Sequence, residues 1–222
     1  MVVAADEITP LYFRLYDCLG RLAGDVILPY LYQADSPGMV LGEGAVALVL
    51  ERAKVAHSRA VQPLATIAGY GSTNDATPER VAETSGRWLK EAARQALDEA
   101  RVPVTALDLV FGIGAGMAAH DLREGHSLEQ LLAGSTPAVG CVNGNLGLAE
   151  ACSGLFAVLA AVGGLYHGET YPLVSAGRPY AGLPWVRRLQ RGDYRHALVV
   201  GSSEQGNNTA VVLRRSEWGE PL

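Results

Sequence analysis

The apolar positions of the chain fall into short continuous runs separated by segments of helical spacing. Val2 to Ala5 is a short apolar run that predicts a strand. Leu11, Leu15, Leu19 and Leu22 recur on one face and predict a helix over Thr9–Leu22. Asp35 to Gly44 is rich in turn residues. The stretch AVALVLE, Ala45 to Glu51, predicts a buried strand, Lys54–Arg59 a short helix, and Leu64–Tyr70 a second strand. Thr77 can cap a helix and Pro78 suits its first position. Val81, Leu89, Ala93, Leu97 and Ala100 follow at helical spacing, and Val102–Pro103 ends that helix. Leu107–Phe111 predicts a strand, Leu128–Leu132 part of another helix, and Pro137–Val142 an extended segment. Cys152 to Tyr166 is apolar on all sides, which predicts a helix buried all round and stopped by Gly168. Arg178 to Asp193 is irregular and basic. Ala197–Val200 and Thr209–Leu213 predict a hairpin joined by GSSEQGNN. The alternation of strands and helices predicts a layered α/β architecture, and no low-complexity tract or linker divides the chain.

Composition narrows the class. Of the 222 residues, 49% are hydrophobic and 18% charged, the balance of a globular chain long enough to bury a core. A net charge of −5 argues against nucleic acid and anionic membrane surfaces as partners. The three cysteines, Cys18, Cys141 and Cys152, are odd in number and widely spaced. That argues against a disulfide framework and zinc pairs and fits a reducing cytoplasm. The run from Ala151 to Tyr166 is broken by Ser153 and several glycines and is short for a bilayer span. No basic region followed by an apolar block marks a signal peptide near Met1.

Candidate chemistry concentrates at three glycine-rich turns that follow predicted strands: Gly112–Gly116, Gly144–Gly147 and Gly201–Gly206. None has phosphate-loop spacing, so no nucleotide is expected, and tight packing of strand ends explains them. In FGIGAGMAAHD, Phe111 to Asp121, the side chain at the strand end is Ile113, which neither gives nor takes a proton. His120, Asp121, Glu124 and His126 form a local polar cluster. It lacks the helical pairing of metal ligands and is expected to be a solvated loop without metal. Cys141 and Cys152 sit in apolar surroundings and are expected to be inert thiols. Arg187, Arg188, Arg191 and Arg195, with Trp185 and Tyr194, form a basic aromatic patch. It is either a solvated loop or a functional surface, a dock for an acidic partner or a subunit contact.

PGMVLGEGAVALVLERAKVAHSRAVQPLATIAGYGSTNDAT, Pro37 to Thr77, resembles the middle of a β-ketoacyl synthase of the fatty-acid and polyketide type. The resemblance runs on to Leu213 and corresponds to the C-terminal half of a family member. It implies the thiolase fold, two similar α/β halves related by a pseudo-twofold axis, of which residues 1–222 form one as a single domain. The expected form is a layered α-β-α half with a mixed five-stranded sheet, completed by a partner chain. The half that bears the family's catalytic cysteine is not in this sequence.

The family motif H-G-T-G-T-P-x-x-D, with a Glu three residues on, is matched by Ile113-Gly114-Ala115-Gly116-Met117-Ala118-Ala119-His120-Asp121 and Glu124. Gly114, Gly116, Asp121 and Glu124 agree, and the histidine is Ile113. The motif K-S-N-I-G-H-T-E-A-A-S-G is matched by Asn143-Gly144-Asn145-Leu146-Gly147-Leu148-Ala149-Glu150-Ala151-Cys152-Ser153-Gly154. Its lysine is Asn143 and its histidine Leu148. The motif G-F-G-G-T-N keeps Gly206 and Asn208, while Glu204 stands where the gating Phe is usual. Ser153 corresponds to a small packing residue of the family's buried helix.

In the family the two imidazoles hydrogen-bond the thioester oxygen as enolate charge develops, and the cysteine carries the acyl chain. Loss of one such donor costs roughly 10²–10³ in rate. Condensation by this chain alone is therefore not expected, and no cofactor is implied. The resemblance implies a non-catalytic, chain-length-factor-like subunit in type II polyketide, polyene or fatty-acid synthesis. Its expected partners are a ketosynthase or a chain with the missing half, and an acyl carrier protein docked at Arg187, Arg188 and Arg191. One alternative is a subunit of a split acyltransferase or thioester-processing enzyme. Another is a non-enzymatic scaffold. The strand that begins at Val2 favours a first half carried on a separate chain, because a strand needs neighbours for its backbone groups.

Overall fold

The computed structural model describes residues 1–75, 85–180 and 182–216. Its centre is a five-stranded mixed sheet. The strands are β3 (Ala65–Asn74), β4 (Leu109–Gly112), β5 (Ala138–Cys141), β8 (His196–Ser202) and β9 (Asn207–Arg215), in the order β3-β9-β8-β4-β5. β8 and β9 form the expected hairpin, with Val199 opposite Val211. β4 runs parallel to both β5 and β8. All four residues of β4 are buried, as a strand covered on both faces requires.

One face of the sheet carries α3 (Arg87–Ala100) and α4 (Ala118–Leu131). Leu89, Ala93, Leu97 and Ala100, the positions expected to form the apolar stripe, are all buried there. The expected cap at Thr77 and Pro78, with Val81, lies outside the described residues. The described helix starts behind Gly86, which is left-handed at φ 70°. The close fit of α3 on β3 needs Gly69 and Gly71, since a Cβ at either would run into the Ala96 or Ala92 carbonyl of α3. α4 is longer than the expected Leu128–Leu132 segment and takes in His120, Asp121, Glu124 and His126.

The other face carries α6 (Glu150–His167), ended by the left-handed Gly168. Ala157, Ala161 and Leu165 pack on the sheet against Leu109, Phe111 and Val199. On the far side of α6 lies a two-stranded antiparallel ribbon, β1 (Val2–Asp6) and β2 (Gly44–Leu48). It covers Cys152, Leu155 and Phe156 with Ala4 and Val46. The rest of that side is open, with Leu159 and Tyr166 about half exposed. α6 is therefore not buried all round: the sheet covers one side and a narrow ribbon half of the other. At 18 residues and mean hydropathy 1.2, it also reaches the length and apolarity of a bilayer span by composition, one residue longer at each end than the run Ala151–Tyr166. Its sheet-packed side is that of a core helix.

The first elements differ most from expectation. α1 spans Pro10–Cys18, capped by the Thr9 hydroxyl with Pro10 leading, and it stops four residues short of Leu22 because the chain reverses at left-handed Gly20. None of its residues is buried, and Leu11, Leu15 and Leu19 face solvent. β2 is shorter than the predicted strand and only Val46 is buried, leaving Val49 and Leu50 exposed. The remaining elements are α2 (Ala53–Ser58), α5 (Asn143–Leu146) and the short pair β6 (Glu169–Thr170) and β7 (Gln190–Arg191).

Candidate functional site

A cavity of about 400 Å³ opens where β4 and β8 end. Ile113, the first residue after β4, and Leu148, just after α5, both line it, with Met39, Ala115 and Met117 beside them. Leu148 is fixed by the chain before β2: its N–H donates to the Val40 carbonyl at 2.8 Å and its carbonyl accepts from Gly42 N–H at 2.9 Å. This side of the cavity is thus apolar, and the two positions where the motifs place imidazoles offer no side-chain hydrogen bond, while His120 brings an imidazole to the lining from α4. Asn143, at the lysine position, is buried, and its amide reaches the Gly114 carbonyl at 3.4 Å.

The glycine turn is held from below by carboxylates. Asp121 is fully buried and accepts three backbone N–H groups: Ala115 at 2.7 Å, Gly116 at 3.1 Å and Tyr32 at 2.9 Å. Glu124, also fully buried, accepts the Tyr32 hydroxyl at 2.6 Å and the Ile113 N–H at 2.9 Å. Gly114 and Gly116 have φ of 56° and 76°, a left-handed turn that side chains disfavour. His120 places Nε2 3.1 Å from both the carbonyl and the hydroxyl of Ser202. Its Nδ1 lies 3.8 Å from Asp121, a charge contact rather than a hydrogen bond. Burial pushes the His120 pKa down, but the carboxylates of Asp121 and Glu124 outweigh it, and the net shift is upward. Burial likewise raises Glu124, against the opposing effects of His120 and the Tyr32 bond.

The polar cluster is therefore not a solvated loop. Two of its carboxyls pin the turn, His120 ties α4 to β8, and His126 is exposed, edge-on to Tyr180. Among the described residues no group of His, Cys, Asp or Glu is arranged to hold a metal. Cys141 donates to the Ile113 carbonyl at 2.8 Å and burial pushes its thiol up, so it holds little thiolate. Cys152 is buried and donates to the Gly44 carbonyl at 3.2 Å. The Ser153 hydroxyl accepts from Ala149 N–H in the first turn of α6.

Glu204 reaches the mouth of the cavity from the β8–β9 turn and forms an ion pair with Arg21. Tyr16 donates to Glu150 at 2.9 Å on the same rim. Gly206 and Asn208 face away from this mouth: the Asn208 amide donates to Asp75 at 2.7 Å and to the Gly206 carbonyl at 3.1 Å. Asp75 also pairs with buried Arg123 at 3.2 Å. The expected basic aromatic patch is only partly assembled. Arg187 and Arg188 are exposed, but Arg191 pairs with Glu169 and Arg195 with Asp193. Trp185 is in the core, its ring 4.4 Å from that of Tyr32, and Tyr194 is half-buried. Sequence reasoning missed Tyr16, Arg21, Tyr32 and Arg123. Tyr16 and Arg21 lay inside a segment read only for its leucines, and nothing in the pattern around Tyr32 or Arg123 signals burial.

Comparison with known proteins agrees with this geometry. Residues 64–176 match the family described as β-ketoacyl synthase, C-terminal domain. The tetracenomycin polyketide synthase ketoacyl synthase beta subunit of Streptomyces glaucescens is 34% identical over 200 residues, covering 86% of this chain and 46% of that protein. The granaticin polyketide β-ketoacyl synthase 1 of Streptomyces violaceoruber is 31% identical over 187 residues, covering 81% and 44%. The chain thus spans less than half the length of these curated relatives. Among solved structures, the ishigamide ketosynthase/chain length factor superposes with a TM-score of 0.84 at 26% identity, covering 96% of this chain and 53% of that one. A type II ketosynthase solved with its acyl-carrier protein superposes at 0.88 with 20% identity, covering 97% and 56%, which establishes the fold alone. The glycine frame, the mixed sheet with its central helix and these matches agree on one conclusion: this chain has a thiolase-like fold and belongs to the β-ketoacyl synthase family, of which it represents the C-terminal half.

Proposed function

We propose that this chain is a non-catalytic, chain-length-factor-like subunit that pairs with an active ketosynthase, or with a chain carrying the first half, in polyketide, polyene or fatty-acid synthesis. The observation that carries the reading is the apolar side of the cavity. Ile113 and Leu148 present hydrocarbon where enolate charge would need donors. The mouth adds to this, because the Arg21 guanidinium there is already paired with Glu204, and Glu150 on the same lining disfavours an anionic malonyl group.

Pairing is supported by the uncovered apolar surface. Among the described residues β1 and β2 pair as strands only with each other, so each keeps a strand edge open beside the uncovered side of α6. Val3, Leu15, Leu159 and Tyr166 are each about half exposed around them. Strands from a companion chain would extend the ribbon and cover that side of α6. An acidic carrier protein would dock at exposed Arg187 and Arg188, and reversing both charges should weaken carrier binding at low salt.

The test is co-expression with the genomic neighbours. The chain should aggregate when made alone and elute in one complex with a ketosynthase or first-half chain. A monodisperse free monomer that ignores both would overturn the reading.

A further inference from the structure

The charged groups around the cavity are already engaged. Arg21 pairs with Glu204, Glu150 accepts from Tyr16, and His120 Nε2 faces the carbonyl and hydroxyl of Ser202. What remains facing the space is of two kinds. Met39, Ile113 and Leu148 make an apolar side. Ser153, Ser203 and Thr209 bring neutral hydroxyls to the lining, and Gln205 and Asn207 neutral amides. At about 400 Å³ the space is within the range of small-molecule sites.

We propose that this cavity binds an uncharged small molecule with a hydrocarbon side and one or more hydroxyl or carbonyl oxygens, such as an alcohol, ketone or lactone, held without a covalent bond. The inference rests on the reading that the cavity has no catalytic role. An anionic ligand would bring its charge against Glu150 and Glu204, with the one guanidinium of the rim already paired. A cationic ligand would meet Arg21 and His120. Either would have to break an existing pair or enter unpaired, and burying an unpaired charge is costly. A neutral ligand displaces water from Met39, Ile113 and Leu148 and finds hydroxyl partners without disturbing the rim.

The test uses Nile red, an uncharged dye with a carbonyl, bound to the protein as it purifies, and displaces it at pH 8 with 1-octanol or with octanoate. Octanol should displace the dye at a concentration at least tenfold lower than octanoate. Equal potency, or stronger displacement by octanoate, would overturn the proposal. The cavity is then filled. Gly201 is on the lining, and a Cβ there lies 3.5 Å from Cγ1 of Ile113 and 3.7 Å from the Thr209 hydroxyl, both also on the lining, so Gly201→Phe should weaken dye binding tenfold or more. Thr209→Trp, at an exposed strand position on the same lining, gives a second filling variant should Gly201→Phe fail to fold. Dye binding that survives in a folded filling variant would mean the dye sits on the exposed apolar side of α6, and the proposal fails. The readout does not depend on pairing: a chain that never co-purifies with a ketosynthase can still show the octanol preference, and the converse also holds.

Discussion

Asp121 gives the sharpest test of how the glycine turn is held. Its carboxylate has no exposure and accepts from the backbone of Tyr32, Ala115 and Gly116 at 2.7 to 3.1 Å. Asp121→Ala removes all three bonds and leaves three buried N–H groups without their acceptor. Hydrogen bonds to a charged acceptor contribute about 1.5–3 kcal/mol each. Some relaxation is expected, so the loss should be about 3–6 kcal/mol, on the order of half the stability of an ordinary domain. Hydrogen exchange reads this locally. Amides of the peptide spanning Ile113 to Met117 should lose at least about 100-fold protection, since 1.4 kcal/mol is a factor of ten. Asp121→Asn keeps the volume and one acceptor oxygen, and should fall between wild type and alanine. A change below about 1 kcal/mol with protection of the turn intact would refute the claim that this carboxylate organises it.

Two further outcomes follow from the same neighbourhood. Gly114→Ala should cost about 1–2 kcal/mol from the left-handed conformation alone, and more because its Cβ would come 2.8 Å from the Cys141 sulfur; an unchanged thermal midpoint would contradict the turn geometry. His120 has a folded pKa above its ordinary value, so its contribution is fully present below about pH 6.5 and is lost as pH rises through the folded pKa. Glu124, also raised, acts in the same direction from lower pH. Asp121, Glu124 and Arg123 are the charged neighbours that set the His120 shift. Unfolding free energy measured from pH 6 to 9 should therefore decline, and His120→Gln should flatten that part of the curve; an equal slope in the variant would show that His120 is not its source.

The hairpin of β8 and β9 was legible as two apolar runs joined by turn residues, with Ala197 to Val200 buried on both faces, and the apolar stripe of α3 because a period of 3.6 survives where one face alone is buried. The glycines of β3 were legible as a motif, and the structure supplies their reason in the carbonyls of Ala92 and Ala96. α1 misled because its leucines have helical spacing yet face outward, and spacing reports a shared face without saying what covers it. α6 misled for a related reason: an apolar surface on every side predicts burial on every side, whereas here one side is largely uncovered. At the site, the substituted Ile113 and Leu148 could be read from the motif frame. Tyr32 could not, since its fully buried, left-handed conformation is imposed by Glu124, Asp121 and Trp185, all distant in the chain.

The most direct measurement concerns Ile113 and Leu148. In a purified complex of this chain with a ketosynthase, replace the partner's nucleophilic cysteine with alanine and follow carbon dioxide release from a malonyl-carrier thioester. With hydrocarbon at both positions of the motif histidines, this chain should contribute none, and release should be the same when the cavity is blocked by Gly201→Phe. Release that drops on blocking this cavity would contradict the central claim, because it would place decarboxylation where Ile113 and Leu148 stand at both imidazole positions of the family motifs.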